Sequence, residues 1–361
     1  MTSVVIQDLA RFGPQGSPNM TVEEASDYTR QLALSHYENF SVLSRMVPER
    51  YRDDFGRVYA FCRWADDLGD ETGSPERSRE LLAWWRDELD ACYAGSPRHP
   101  VFIALARTIE SRNLPRKPFD DLIDAFLQDQ EITRYQSWEQ LVDYCSRSAN
   151  PVGRLVLRIA GYDDPKLDEL SDATCTALQL ANFWQDVRRD IIQRDRVYLP
   201  ADIAAKHHVG MPFIIKSVRL DGGLDENGEP HKHDHHHHDH DHESHHHHHE
   251  YDAVDGHGQR CACSGGGANA GVRACLKTYR PMMRDLVSRT WPLFKQGRQL
   301  WPHLDRDIRP AIKLFSWGGE SILRMIETEG YDTLTNRPAL SKSRKAWLVS
   351  RASLSRYLPW G

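Results

Sequence analysis

Between residues 58 and 71 the chain reads VYAFCRWADDLGDE, and between 177 and 200 it reads ALQLANFWQDVRRDIIQRDRVYLP. Taken as a helix, the first stretch puts Tyr59, Arg63, Asp66 and Asp70 on one face, with Asp67 and Glu71 about one position round. The second does the same with Gln179, Asn182, Asp186 and Asp190. Apolar residues cover much of the remaining surface: Val58, Phe61, Cys62 and Trp64 in one, Leu178, Leu180, Ala181, Phe183 and Trp184 in the other. A lone Asp-x-x-x-Asp reads as a solvated face, where like charges cost only about 0.2–0.5 kcal/mol. Two such pairs on largely apolar helices point inward, and carboxylates taken out of water must meet cations. Four carboxylates facing one chamber form a hard-oxygen site of the kind Mg²⁺ uses when it also holds a phosphate. Asp66, Asp70, Asp186 and Asp190 are therefore the expected metal ligands, and a diphosphate is the expected cargo.

The elements that must position these residues are helical. Pro and Gly fall mainly between candidate helices. Thr21–Glu24 and Ser137–Gln140 read as capping boxes, and Ser74-Pro75 and Ser96-Pro97 as an N-cap followed by Pro. Helices are expected over 21–45, 49–72, 75–93, 99–113, 118–134, 137–147, 150–161, 166–194, 273–300, 305–329 and 338–353, with a further helix end near His207 and His208. No strand–helix alternation and no repeat is found, so the fold class is all-α. Acidic helices around an apolar chamber suit the ionisation of an allylic diphosphate. Mg²⁺ would neutralise the leaving group, the apolar walls would exclude bulk water, and aromatic faces would stabilise cations.

One segment breaks the pattern. Residues 221–272 carry fourteen of the nineteen histidines, and eleven Asp and Glu against Lys232 and Arg260. Such a stretch has almost nothing to bury and reads as a disordered insertion. Its imidazoles, with Cys261 and Cys263, would capture transition metals loosely, without the fixed spacing of a structural zinc site. The expected organisation is one helical domain over 20–353, interrupted by 221–272 and preceded by a flexible 1–19. The net charge of −6 comes from the insertion, so the rest of the 361-residue chain is slightly basic. No basic stripe marks a nucleic-acid surface. The start lacks a signal-peptide pattern, no run is long enough to span a membrane, and the cysteines within helices read as core thiols in a reducing compartment. A cytoplasmic protein is the expectation, with Tyr357-Leu-Pro-Trp360 a candidate for touching lipid. Trp84, Trp85, Trp291, Trp301 and Trp347 read as core or amphipathic anchors.

The two acidic stretches resemble the two signatures of the squalene/phytoene synthase family of head-to-head prenyl synthases. The resemblance covers nearly all of the chain outside the insertion, and it implies an isoprenoid-synthase-type helical bundle around a central cavity. On this resemblance, Asp66, Asp70, Asp186 and Asp190 hold Mg²⁺ and diphosphate, Arg63, Gln179 and Asn182 line the site, and Tyr59 sits beside the first diphosphate. SHYENFSVLSRMVP at 35–48 resembles the N-terminal segment of the family, which implies that His36 and Asn39 approach the phosphates. HYENFSVLS, SANPVGRLVL at 148–157 and WGGESILRMIETEGYDTLTNRP at 317–338 resemble the hydroxysqualene synthase branch. That branch converts presqualene diphosphate and water to hydroxysqualene and diphosphate.

Two departures accompany the resemblance. Relatives carry an aromatic residue followed by Val-Ala-Gly in mid-chain, implicated in condensing two prenyl diphosphates, whereas YCSRSANPVG places Ser146 or Arg147 there. Gln185 stands where many relatives have Arg. The alternative enzyme is a squalene or phytoene synthase joining two farnesyl or geranylgeranyl diphosphates, with NADPH needed only for squalene formation. A head-to-tail prenyl synthase is disfavoured by Val187, which replaces a paired aspartate in the second motif. A non-catalytic scaffold has no reason to keep four inward carboxylates, and a metal-storage role would rest on the histidine tract alone.

Overall fold

The computed structural model describes residues 3–16, 19–35, 46–224 and 270–355. His36, Asn39, most of the histidine-rich insertion with Cys261 and Cys263, and the Tyr357–Trp360 tail lie outside the described residues. The secondary structure of the described residues is almost entirely helical: α1 Val4–Phe12, α2 Val22–Ser35, α3 Glu49–Asp70, α4 Pro75–Tyr93, α5 Pro100–Arg112, α6 Lys117–Gln128 and α7 Trp138–Ser148. There follow α8 Asn150–Ile159, α9 Pro165–Arg194, α10 Ala201–Lys206, α11 Met211–Asp221, α12 Ala270–Gly297, α13 Arg309–Thr328 and α14 Lys342–Leu354, with a 3₁₀ turn over Arg298–His303.

Local signals start these helices as their chemistry requires. Thr21 and Glu24 satisfy each other's backbone N–H groups, at 2.8 and 3.2 Å. Ser74 caps α4 by accepting from the Arg77 N–H. Ser137 accepts from the Gln140 N–H at 3.2 Å. The Ser96-Pro97 start does not form. His99 caps α5 instead, accepting from the Val101 N–H, and Pro100 takes the first turn. The helix expected over 118–134 stops at Gln128, because the following segment runs extended beside residues 195–202. There the Val197 N–H donates to the Thr133 carbonyl at 2.9 Å and Arg134 bridges Val197. The flexible N-terminus expected over 1–19 is also corrected. Residues 4–12 form α1, whose Val5 and Phe12 are buried, the Phe12 ring lying 5.1 Å from that of Tyr28. Beside the insertion, α11 runs through Asp221, and α12 already buries Val272.

Two separate apolar clusters form the core. One is centred on α3, α4, α5, α6 and α8, with Phe61, Trp64, Leu68 and Trp85 wholly buried. The other is centred on α7, α9, α10, α11 and α12, with Leu180, Trp184, Tyr279 and Phe294 wholly buried. Each acidic helix thus belongs to a different cluster. The 30-residue α9 packs along α8, α12 and α13. Its approach to α12 depends on small residues and one satisfied indole. The Trp184 N–H donates to Thr290 at 2.9 Å, and Gly297 sits so close to α9 that a Cβ there would lie 2.0 Å from Thr174 Oγ1 and 3.1 Å from the Thr174 nitrogen.

Gly297→Ala is expected to force α12 away from α9 and to cost roughly 1–3 kcal/mol, as overpacking does in a filled core. A lowered denaturant midpoint checks this, and an unchanged midpoint would mean that the contact relaxes freely.

Candidate active site

Both acidic stripes lie on the flanks of their helices beside the core, with Asp70 and Asp190 the most enclosed, and cations of the second helix join them. On α3, Leu68, Ala65 and Phe61 face the core, and the stripe residues occupy the flank. Asp70 lies where this helix ends, with 8% of its side chain exposed. It receives Arg194 Nε at 3.0 Å and Arg196 Nη1 at 2.8 Å. Arg194 also lies 3.6 Å from Asp190, one turn before it on α9. One guanidinium therefore bridges a carboxylate of each stripe. Arg196 reaches the site because the helix stops abruptly. Asp195 takes a left-handed conformation (φ 49°), and the Arg196 N–H turns back onto the Asp190 carbonyl at 3.1 Å.

The four aspartates differ in setting. Asp190 is nearly enclosed, and burial together with the Asp186 carboxylate pushes its pKa up to about 7. Burial and then Asp70 push Asp66 up to about 7 as well. Asp66 nevertheless keeps 44% of its side chain open to water, so it is recessed rather than enclosed. Asp186 pairs with Arg337, which arrives from the segment after α13, and a second contact of that pair measures 3.3 Å. The same segment is tied to α9 by Gln185, whose amide donates to the Pro338 carbonyl, and by Arg188 to the Leu334 carbonyl at 3.4 Å.

The other expected site residues are placed less centrally. Arg63 turns to Asp67, with Nε at 3.0 Å from Oδ2, and lies 3.9 Å from Asp66. Tyr59 is half-buried one turn earlier on the same helix. Gln179 is half-buried and Asn182 exposed, two turns and one turn before Asp186 respectively. His36 and Asn39 fall outside the described residues. A recess of about 350 Å³ between α2 and α3, lined by Thr29, Arg30, Asp53 and Arg57 among others, contains none of the stripe residues.

Sequence reasoning missed a second layer. Asp129, buried at the end of α6, accepts from Tyr144 at 2.7 Å and from Tyr198 at 3.5 Å, and lies 3.7 Å from Arg196. Burial raises its pKa to about 6, against the opposing charge of Arg196. Burial disfavours the Arg196 charge, but Asp129 and Asp70 outweigh it and keep the guanidinium ionised. The chain Tyr144–Asp129–Arg196–Asp70 thus fixes the first acidic motif from behind. Tyr144 also alters the reading of YCSRSANPVG. A phenol does enter the network from this segment, two residues before Ser146, while Arg147 bonds Gln128 at 2.6 Å. Arg194 and Arg196 were signalled only by the basic run after the second motif, and Arg337 by nothing in its spacing.

Among the described residues no three His, Cys, Asp or Glu side chains converge as a ready metal cage. The carboxylates fit Mg²⁺ in another way. Each Asp-x-x-x-Asp pair supplies two hard oxygens, and this ion binds through one or two carboxylates plus substrate phosphates rather than a closed protein cage.

The raised carboxylates carry a stability cost. A carboxylate whose folded pKa exceeds its unfolded value stabilises the fold at low pH and loses that contribution as pH rises through the folded value, here about 7 for Asp190 and Asp66. Asp190→Asn should therefore raise the melting temperature of metal-free protein at pH 8 relative to wild type and flatten its fall between pH 5 and pH 8. The gain should be smaller for Asp66→Asn, which water reaches. Thermal melts across that range decide it, and equal or lower stability of Asp190→Asn at pH 8 would contradict the electrostatic reading.

The squalene/phytoene synthase profile matches residues 34–217 and 268–344, well over half of the chain. A hydroxysqualene synthase of Zymomonas mobilis is 36% identical over 168 residues, which is 46% of this chain and 56% of that protein. The chain thus matches little more than half the length of that relative. A presqualene diphosphate synthase of Rhodopseudomonas palustris is 32% identical over 193 residues, 53% of this chain and 68% of the relative. The crystal structure of squalene synthase HpnC from Alicyclobacillus acidocaldarius superposes with a TM-score of 0.65 at 34% identity, covering 86% of this chain and 95% of that one. The all-α fold is of the squalene-synthase type. The chain belongs to the squalene/phytoene synthase family, whose members are synthases that process prenyl diphosphates.

Proposed function

We propose that the chain converts presqualene diphosphate and water to hydroxysqualene and diphosphate. The observation that carries the reading is Arg194, which contacts Asp70 of α3 and Asp190 of α9 and so makes both acidic motifs front one locus. Asp66 and Asp70 on one side and Asp186 and Asp190 on the other would hold Mg²⁺ together with the diphosphate. Bound there, Mg²⁺ supplies charge neutralisation for the departing diphosphate. Arg194 and Arg337, already seated on motif carboxylates, are placed to take the remaining phosphate oxygens as those carboxylates are engaged. Asp129 and Tyr144 keep Arg196, and through it Asp70, in register. Arg63, Tyr59, Gln179 and Asn182 are assigned to substrate contact, as are His36 and Asn39. The prenyl chains would lie along the seam between the two apolar clusters, shielded from bulk water.

The balance of the reaction is simple. The carbon–oxygen bond to diphosphate breaks with its electron pair on the leaving group, the cyclopropylcarbinyl cation rearranges, and water adds and loses a proton. Support for this branch over others comes from the similarity to hydroxysqualene synthase. A second reading is condensation of two farnesyl or geranylgeranyl diphosphates, favoured by the similarity to presqualene diphosphate synthase. NADPH would be required only if that reading ended in squalene.

Purified protein with Mg²⁺ should consume presqualene diphosphate to hydroxysqualene and leave farnesyl diphosphate untouched. Consumption of farnesyl diphosphate alone would transfer the assignment to condensation. Asp66→Asn and Asp186→Asn should each cost at least about a hundredfold in turnover, the scale of losing a transition-state charge stabiliser, with helicity intact.

A further inference from the structure

The strongest feature outside the site is the outer face of α14. Its inner face, Leu348, Ala352 and the following Ser355, is buried. The helix is pinned to α13 by Arg351, whose guanidinium lies 3.9 Å from the Trp317 ring centre, and Ser353 reaches Met46 at 3.4 Å. Arg344, Trp347, Arg351 and Leu354 follow one another at intervals of three, four and three, which makes a single outward stripe. Trp347 is 47% exposed and Leu354 60% exposed, the most exposed large apolar side chain among the described residues. Arg344 and Arg351 flank the Trp347 ring at 4.6 and 5.5 Å. The helix carries Lys342, Arg344, Lys345 and Arg351 and no acid, and none of the four is in a salt bridge among the described residues. In sequence, residues 333–361 hold six Lys and Arg and no Asp or Glu, and end in RYLPWG.

We infer that α14 docks the protein on an anionic phospholipid bilayer. A basic stripe alone would suit any acidic partner. Here an indole and a leucine project at the same level as the cations, which matches a helix lying in the plane of a headgroup layer with its aromatic tip in the acyl boundary. The cations add about 1 kcal/mol each near an anionic leaflet, within a Debye length. No described helix is long and apolar enough to cross a membrane, so the contact is superficial. Its position matters for the chemistry of oily ligands. Arg337, which sits on Asp186, is only four residues before the Ser341 cap of α14. Docking would therefore bring the rim of the acidic site to the bilayer. The inference stands on the surface itself and does not depend on which prenyl reaction the site performs.

Flotation of the full chain with vesicles tests it. Wild type should float with phosphatidylcholine vesicles containing phosphatidylglycerol, stay behind with phosphatidylcholine alone, and be released by high salt. Arg344→Glu/Lys345→Glu should weaken partition about tenfold or more. Trp347→Ser should weaken it at every salt concentration. Circular dichroism and Mg²⁺-dependent turnover in detergent show that the variants are folded. Failure of wild type to float with either vesicle, equal flotation with both, or an unchanged partition of the double reversal would overturn the inference.

Discussion

The site is organised by a conflict of like charges resolved through shared guanidinium groups. Asp70 and Asp190 come from helices more than a hundred residues apart in sequence, and each belongs to its own apolar cluster. Left alone, two recessed carboxylate pairs would take up protons, and the raised pKa values of Asp66 and Asp190 reflect burial first and then the like charge within each pair. Arg194 between Asp70 and Asp190, Arg196 on Asp70 and Arg337 on Asp186 hold the pairs together instead. Stability is not the purpose of such an arrangement, since apolar residues would pack there at lower cost. A concentration of carboxylates partly neutralised by mobile side chains is what a site needs if it must accept divalent ions and then a highly charged anion.

The rest of the fold serves that geometry. Close contact of Gly297 with Thr174, and of Gly319 with Leu178 and Phe294, sets α9 tightly between α12 and α13. The left-handed Asp195 ends α9 where Arg196 must turn back, and the extended pairing of 133–136 with 197–202 brings Asp129 behind it. Tyr144 and Tyr198 close the rear, the Tyr198 ring stacked 3.8 Å from that of Phe183. Rigidity behind the motif and exchangeable ion pairs in front of it divide the labour: one keeps the carboxylates in register, the other lets them change partners.

Much of this was legible from residue spacing. The two stripes, the helices carrying them, and caps such as Thr21 and Ser74 follow from local periodicity and local hydrogen bonding, both printed in neighbouring residues. What was not legible depends on chain reversal. Nothing near Arg337 says that it will meet Asp186, 151 residues earlier, and nothing in LQDQEITRY marks Asp129 as the support of Arg196. Nothing local to YCSRSANPVG shows that the Tyr144 phenol will reach Asp129, because that contact depends on how α7 packs against the end of α6. The helix α1 was missed because nine residues carry little periodic signal, and its burial of Val5 and Phe12 is a tertiary event. Ser96-Pro97 misled for the opposite reason: the local signal was sound, but His99 offered a cap nearer the core.

Asp66 and Asp186 should act as one device although they never touch. A double-mutant cycle on Mg²⁺-dependent binding of inorganic pyrophosphate, comparing Asp66→Asn, Asp186→Asn and the pair by calorimetry, tests this without any turnover. Two motifs gripping one ligand predict a coupling of roughly 0.5–3 kcal/mol between the substitutions. Losses that simply add, or pyrophosphate binding that ignores either carboxylate, would mean that the two acidic helices do not serve a common diphosphate.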